Sequence, residues 1–179
     1  MIRLQPDRTS SPWSATYRIR LFIWAIVWTS FCRWTPKPFN SFRLSILRLF
    51  GARISNTAFV HQRAIIAHPW NLTMGPGSCI GDSAQIYNLA HVDLGSGATV
   101  AQESYLCTAS HDFGSPSLSL IASAIVIEQD AFIGARAFIL PGVIVGRSAI
   151  VGACSVVTRS VSPAQTVAGN PARPLSSST

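Results

Sequence analysis

The sequence predicts an all-β protein, built as a parallel β-helix of about five turns and preceded by a short helical N-terminal segment. Two observations carry this prediction. β-branched residues recur at every sixth position from residue 127, and a basic, apolar stretch without that period precedes residue 54. A period of six fits neither an α-helix nor a simple alternating strand, and it is typical of the hexapeptide coil of a β-helix.

The period is uninterrupted near the C-terminal end of the repeat region, where its frame contains Ile127, Ile133, Ile139, Val145, Val151 and Val157. A short side chain stands four positions after each of them, at Ala131, Ala137, Val143, Ala149, Ser155 and Val161. Each aliphatic side chain is expected to point into a triangular prism and to stack on its equivalents in neighbouring turns.

Allowing two-residue slips, the same register extends upstream through Ile54, Val60, Ile66, Met74, Ile80, Ile86, Leu94, Val100 and Leu106. The predicted turns therefore begin near residues 54, 74, 94, 127 and 145. The predicted organisation is a basic, apolar helical segment over 1–53, a β-helix over 54–162 with an inserted loop at 112–126, and a tail over 163–179.

The N-terminal segment contains an uncharged stretch from Leu21 to Cys32, which is shorter than the roughly 20 residues that a membrane-spanning helix needs. Arginines at both ends, with Trp24, Trp28 and Trp34, are typical of a helix that lies on a membrane surface. Docking against the body of the protein or a neighbouring subunit is an open alternative, and true spanning is a third.

The charged residues and the cysteines of the sequence indicate its compartment and its class of partner. The chain of 179 residues has 14 Lys and Arg against 7 Asp and Glu, and its four cysteines form no CxxC pair. Widely spaced cysteines indicate buried thiols in a reducing compartment, so we expect a cytoplasmic protein, with peripheral contact to the inner face of the membrane if the N-terminal helix is interfacial. The basic residues are interleaved with apolar ones rather than forming a broad stripe, which argues against nucleic acid as a partner.

Several segments resemble those of a known family. The end of the chain reads VVTRSVSPAQTVAGNPARPL, and the segments PWNLTMG, IYNLAHVDLG and SYLCTASHD precede it. With the hexapeptides, they resemble the left-handed β-helix acyltransferases, and in particular the sugar O-acetyltransferases of colanic acid type. The resemblance implies a left-handed coil, which is an exception to the usual right-handed crossover. It also implies acetyl-CoA as co-substrate, a sugar or glycan acceptor used in exopolysaccharide or other surface-glycan synthesis, and a homotrimer.

Acetyl transfer to a hydroxyl needs a base, and a histidine suits that task at neutral pH. The resemblance places this role on His111, which ends a repeat next to the insertion. Asp112 or a backbone carbonyl is expected to hold the tautomer of its ring. By the same resemblance Asn88, Asp93 and Asp112 are expected to contact the acceptor sugar.

For the cofactor, the resemblance points to the backbones of Ala135 and Ala153 along a groove, followed by Thr158, Arg159 and Arg173 at the C-terminal end. The arginines would form charge-assisted hydrogen bonds with the phosphates of CoA. No metal site is predicted.

Three alternatives stay open. His91 lies 20 residues before His111, so early turns of that length would stack the two in one column with Asn71 below, as in a metal-binding β-helix of the γ-carbonic anhydrase type; zinc, however, needs three protein ligands. A non-catalytic scaffolding β-helix is the second alternative. Covalent catalysis by Cys107, which is near His111 in sequence, is the third.

Overall fold

The computed structural model describes residues 2–3 and 13–175. Residues 1, 4–12 and 176–179, at the two ends of the predicted N-terminal segment and tail, lie outside the described residues. The body is a prism with three parallel sheets, here called faces 1, 2 and 3 in the order in which the chain visits them.

The strands are two to four residues long. Face 1 contains β2 (Arg53–Ile54), β5 (Leu72–Met74), β8 (Val92–Leu94), β13 (Ile125–Ile127) and β16 (Ile144–Val145). Face 2 contains β3 (Phe59–Val60), β6 (Cys79–Ile80), β9 (Thr99–Val100), β14 (Phe132–Ile133), β17 (Ile150–Val151), β19 (Thr166–Gly169) and β20 (Ala172–Pro174). Face 3 contains β4 (Ile65–Ile66), β7 (Gln85–Tyr87), β10 (Tyr105–Cys107), β15 (Phe138–Ile139) and β18 (Val156–Val157).

The register of the faces confirms the predicted period. On face 1, Ile54 pairs with Met74, Met74 with Leu94, and Ile127 with Val145. The aliphatic residues of the repeat are buried on all three faces. The short residues of the uninterrupted part are buried at the corners: Ala131, Ala137, Val143, Ala149, Ser155 and Val161. Each turn covers the apolar side chains of the turn below, so the core is a continuous stack.

The coil is longer than predicted at its end. The five predicted turns are present, and a sixth, partial turn follows, because Val161 bridges Val145 and Val167 pairs with Val151. Part of the predicted tail therefore continues the prism, and β20 folds back on β19 in antiparallel pairing to finish that edge.

The segments that depart from the six-residue repeat lie at the corner between faces 3 and 1, here called the 3–1 corner. In the first two turns it contains the two extra residues, including a 3₁₀ helix at Pro69–Asn71. In the third turn a hairpin extends from this corner, made of β11 (Ala109–His111) and β12 (Leu120–Ala122). The insertion predicted at 112–126 thus begins earlier, at residue 109, and ends earlier, since β13 rejoins face 1 at Ile125.

Two helices cover the open edge of the first turn. Helix α1 (Ala15–Val27) runs into a π-helical turn (Trp28–Cys32), and a 3₁₀ helix (Lys37–Phe39) leads into α2 (Asn40–Leu49). The indole N–H groups of Trp24 and Trp28 donate to the carbonyls of Ile66 (2.7 Å) and Ala64 (2.9 Å). These carbonyls belong to the first turn, which has no coil below it to supply N–H donors.

Helix α2 completes the cover with polar side chains. The Asn40 amide exchanges hydrogen bonds with the carbonyl of Ala58 and the N–H of Val60. The fully buried Arg43 donates to the Val60 carbonyl at 3.0 Å, and its other nitrogens donate to Thr35 Oγ1, the Pro36 carbonyl and the Lys37 carbonyl. A buried guanidinium is tolerated here because its N–H groups have oxygen partners.

The structure resolves part of the question about the N-terminal helix. The face of α1 that carries Trp24 and Trp28 packs against the prism, which is one of the three predicted alternatives. Within residues 13–175, no helix has the length and apolar character needed to cross a bilayer.

Candidate active site

The hairpin of β11 and β12 positions the predicted base. Ala109, Ser110 and His111 pair with Ala122, Ile121 and Leu120, and a short strand β1 (Ile2–Arg3) adds to the outer side of β12. His111 therefore stands at the end of a paired strand, where the chain leaves the regular core. A side chain placed in this way has solvent on one side and a fixed backbone on the other.

The ring of His111 is exposed, and its Nδ1 lies 2.7 Å from the Leu118 carbonyl oxygen. A carbonyl can only accept a hydrogen bond, so this contact requires a proton on Nδ1 of the neutral ring. The lone pair is then on Nε2, the atom that can accept a proton from a bound hydroxyl. Of the two orienting groups considered from the sequence, the backbone carbonyl is the one in contact with Nδ1.

The tip of the hairpin is held by local polar contacts. Asp112 Oδ1 accepts the Gly114 N–H at 3.1 Å, and the hydroxyls of Ser115, Ser117 and Ser119 form a chain with spacings of 2.7 and 2.8 Å. Leu118 has a φ of 44°, which turns the chain sharply. Asp112 therefore shapes the turn that presents the Leu118 carbonyl, and its predicted contact with substrate stays a prediction.

Asn88 is at the 3–1 corner and is fully buried. Its Oδ1 accepts the His68 N–H at 2.9 Å, while its Nδ2 donates to the carbonyls of His68 (2.7 Å) and Asn71 (3.1 Å). These three bonds join the widened corners of the first two turns and use both amide hydrogens. The geometry of this chain thus accounts for Asn88 structurally and lends no support to its predicted contact with the sugar.

His68 lies beneath this corner in an aromatic cluster. Its ring centroid is 5.9 Å from that of Tyr17 and 5.5 Å from that of Trp70, and Arg20 lies over the Trp70 ring at 3.8 Å. His68 Nδ1 is buried and has no hydrogen-bond partner within the described residues. Burial among apolar groups disfavours the charged ring and lowers the pKa of His68 to about 4.

A groove of about 430 Å³ lies at the base of the hairpin, lined by Asn71, Leu89, Ala90, His91, Ala122, Ser123 and Ala124. His91 Nε2 is 2.9 Å from the Thr73 hydroxyl.

The predicted column of His91 and His111 is wrong. Ile125 pairs with Val92, so Ala124 is the residue stacked on His91, while His111 projects on the hairpin. Among the described residues, no three His, Cys, Asp or Glu side chains lie close enough to hold a metal ion.

Asp93 is on the outer surface of face 1, between Thr73 and Val126 in the register. With Glu128 and Arg147 it lines a shallow groove of about 300 Å³. His91 directly precedes β8 and lies two positions before Asp93 in the chain. The structure therefore places Asp93 on face 1, in a groove separate from the one at the hairpin.

Two of the predicted cofactor residues come together. Arg159 and Arg173 line one cavity of about 270 Å³ at the C-terminal end of the prism. Both side chains are exposed. Thr158 directly precedes Arg159 in the chain, at the 3–1 corner of the last full turn. Two guanidinium groups at one cavity can bind a polyanion through bidentate hydrogen bonds.

Ala135 and Ala153 lie elsewhere, stacked at the corner between faces 2 and 3. The Cys154 N–H donates to the Ala135 carbonyl at 2.9 Å, which joins these two turns. The backbone is tightly packed here, since a Cβ on Gly134 would lie 2.6 Å from the Val151 carbonyl oxygen. Within one chain, face 3 separates these alanines from Thr158 and Arg159. The five residues therefore form two groups, at opposite edges of that face.

Cys107 is on the outer side of face 3, and its thiol donates to the Ala109 carbonyl at 3.2 Å. Among the described contacts, none joins this thiol to His111. The geometry of one chain therefore offers no thiol–imidazole pair for covalent catalysis.

The group that sequence reasoning could not single out is the Leu118 carbonyl. Every residue has a carbonyl, so no residue type marks this one. The only signal is the cluster of Ser, Gly and Pro at 114–119, which predicts a tight turn but not which oxygen faces the imidazole.

The chain is similar to known proteins over most of its length. Residues 124–159 match the family model described as bacterial transferase hexapeptide (six repeats). The chain is 36% identical over 155 residues to WcaF of Escherichia coli K12, which is named as a colanic acid biosynthesis acetyltransferase, and the match covers 86% of this chain and 85% of WcaF.

Among solved structures, a hexapeptide-repeat acetyltransferase of Vibrio cholerae superposes with a TM-score of 0.80 at 25% identity, covering 93% of this chain and 94% of that one. A structure described as galactoside acetyltransferase in complex with coenzyme A superposes with a TM-score of 0.81 at 20% identity, covering 93% and 84%. The fold is therefore the left-handed parallel β-helix, and the chain belongs to the hexapeptide-repeat acetyltransferase family that includes the colanic acid type enzymes.

Proposed function

We propose that this protein is an O-acetyltransferase that moves the acetyl group of acetyl-CoA to a sugar hydroxyl in exopolysaccharide or other surface-glycan synthesis. The observation that carries the proposal is the contact between His111 Nδ1 and the Leu118 carbonyl, which leaves Nε2 as an exposed acceptor. The relationship to WcaF supports the glycan as acceptor class, and the coenzyme A complex of the galactoside enzyme supports the donor.

The proposed reaction is a direct transfer. The sugar hydroxyl gives its proton to His111 Nε2 as its oxygen attacks the thioester carbonyl carbon. The tetrahedral intermediate collapses, the carbon–sulfur bond breaks, and the CoA thiolate takes the proton from the imidazolium. General-base help of this kind is worth roughly 10²–10⁴-fold in rate. The Leu118 carbonyl stabilises the imidazolium as well as the tautomer, because it accepts the Nδ1 hydrogen in both states.

Acetyl-CoA is proposed to use both groups of predicted cofactor residues. Arg159 and Arg173 would hold phosphates at the C-terminal cavity, and Thr158 would donate a hydroxyl beside them. Ala135 and Ala153 would offer only backbone and a small surface to the pantetheine arm. Because these groups lie at opposite edges of face 3, one elongated ligand would touch both most simply in a groove between two chains.

A homotrimer would create such grooves. Large apolar side chains point outward from the later turns, where a neighbouring prism could cover them: Phe132 and Ile150 are paired on face 2, and Ile144 is on face 1. Sedimentation measurements should give the mass of three chains. The proposed site of action is the cytoplasm, because the widely spaced cysteines do not form a disulfide framework in the sequence. The expectation that all four thiols are buried is wrong, since only Cys32 is buried.

The decisive variant is His111→Ala. It should lower turnover at least about 100-fold, because no other group replaces the base, while acetyl-CoA still raises the melting temperature. Arg53→Ala is the control, because it alters an exposed side chain in the first turn, away from the hairpin, and it should change turnover by less than about 3-fold.

Near-wild-type turnover of His111→Ala would refute the proposed base. A wild-type protein that neither consumes nor binds acetyl-CoA would refute the enzyme, and would favour a scaffolding β-helix instead.

A further inference from the structure

Helix α1 has two different faces. Its inner face carries Trp24 and Trp28, which are bonded to the first turn of the prism. Its outer face exposes four large apolar side chains at helical spacing, Ile19, Phe22, Ile23 and Ile26, and the following segment exposes Phe31 and Trp34. Phe22 is 66% exposed and Trp34 is 81% exposed.

This outer face cannot become core by rotation of the helix. The two indole hydrogen bonds fix the rotation about the helix axis, so the opposite side must point away from the prism. A surface helix normally carries polar residues on that side, and a contiguous apolar patch there is typical of a binding surface.

The charged residues in the sequence of α1 and of the first turn are all of one sign. Between residues 8 and 81 the sequence has nine Lys and Arg and no Asp or Glu. Arg18, Arg33 and Lys37 are exposed close to the two ends of the apolar face. The first carboxylate after this stretch, Asp82, is in the second turn and forms an ion pair with Arg63.

We propose that the outer face of α1, together with Phe31 and Trp34, docks on the surface of an anionic lipid bilayer. The apolar side chains would enter the boundary between headgroups and acyl chains, and the arginines and Lys37 would bind lipid phosphates. Helix α1 has 13 residues, a length of about 20 Å, so it lies in the interface rather than crossing the bilayer.

Charge and composition favour lipid over a protein partner. A bilayer offers a continuous apolar layer beneath a layer of phosphates, which matches an apolar stripe with cations near both of its ends. The exposed Trp34 fits the same position, since indole rings concentrate at the boundary between headgroups and water. The hairpin of His111 leaves the third turn, about 10 Å along the prism axis from the turn that α1 covers, at about 4.8 Å per turn.

Flotation with vesicles tests the docking without any assay of acetyl transfer, so its outcome is independent of the proposed function. The probes are vesicles of phosphatidylcholine alone and of phosphatidylcholine with phosphatidylglycerol. Wild-type protein should bind the anionic vesicles at least about 10-fold more tightly, and added salt should weaken that binding.

The test variant is Phe22→Ser/Ile26→Ser, which removes apolar area without changing charge, and it should weaken binding at least about 10-fold. Gln102→Ser/Gln129→Ser is the control, because it alters two exposed corner positions away from α1, and it should bind like wild type. Unchanged melting temperatures would show that both variants are folded.

Equal binding of wild type and the Phe22/Ile26 variant, or no binding of wild type to anionic vesicles, would overturn the proposal. A change of sedimentation mass in the Phe22/Ile26 variant, without a change in vesicle binding, would also overturn it and would identify the face as a contact between copies of the chain.

Discussion

The coil and the hairpin that interrupts it are built on different principles. In the coil, inward positions such as Leu106, Ile127 and Ile133 are apolar and completely buried, and every turn repeats its neighbours. In the hairpin, the tip around Asp112–Ser119 is shaped by single polar contacts, and His111 is exposed. The difference indicates that stability is distributed over the repeat, whereas the proposed chemistry depends on one non-repeating segment.

The sharpest test of this separation is Ile133→Ala, which empties one position in the stack. The free energy of unfolding should fall by about 2–5 kcal/mol, because the variant loses buried apolar surface and leaves a cavity between rigid neighbouring turns. Chemical denaturation measures it. His111→Ala should cost less than about 1 kcal/mol, since it loses one exposed hydrogen bond. Similar losses of stability in the two variants would contradict the comparison.

His68, a buried titratable side chain near the 3–1 corner, predicts a dependence of stability on pH. Its folded pKa of about 4 is below the ordinary 6.5, so the unfolded chain binds more protons between these values. Stability from this group is present above pH 6.5 and is lost as the pH falls toward 4, by up to about 3 kcal/mol. Urea unfolding of His68→Phe at pH 7 and pH 4.5 should show a smaller loss than wild type.

The other acid-sensitive groups, including His61 and Asp82, are present in both proteins and cancel in that comparison. An equal loss of stability in wild type and His68→Phe would mean that the ring is charged or solvated in the folded state.

The smallest expected effect concerns the cavity at the C-terminal end of the prism. Arg159→Ala/Arg173→Ala should raise the KM for acetyl-CoA about 10-fold, equivalent to about 1.4 kcal/mol, through lost phosphate contacts, with a smaller change in turnover. Arg53→Ala, an exposed arginine at the opposite end, is the control. An unchanged KM would mean that Arg159 and Arg173 do not bind the phosphates of acetyl-CoA, and it would contradict the cofactor assignment.

Much of the fold could be predicted because its signal is periodic. Ile54, Met74 and Leu94 were placed in one column from spacing alone, and the strands pair in that register. The stacking of His91 on His111 failed for a physical reason. The 20-residue period ends where β11 begins to pair with β12, and spacing cannot show that a strand has left the coil.

The roles of individual polar residues were less predictable. The contact of Asn88 with the sugar stays a prediction, and the structure adds that its amide joins two widened corners. Arg43 is one cation among many in the sequence, and only the folded chain shows that it bonds to the edge of the first turn. Both side chains take partners that are distant along the chain and that no local pattern reveals.

The sequence by itself determined the prism, its register and the position of the interruption, because a six-residue period forces each aliphatic side chain onto its equivalent in the next turn. The tertiary structure alone decided which atom orients His111, which face of α1 is left outside, and that Arg159 and Arg173 share a cavity. Those outcomes depend on a turn at Leu118, on two indole hydrogen bonds and on a strand that folds back, and each joins atoms whose distance is set only when the chain is packed.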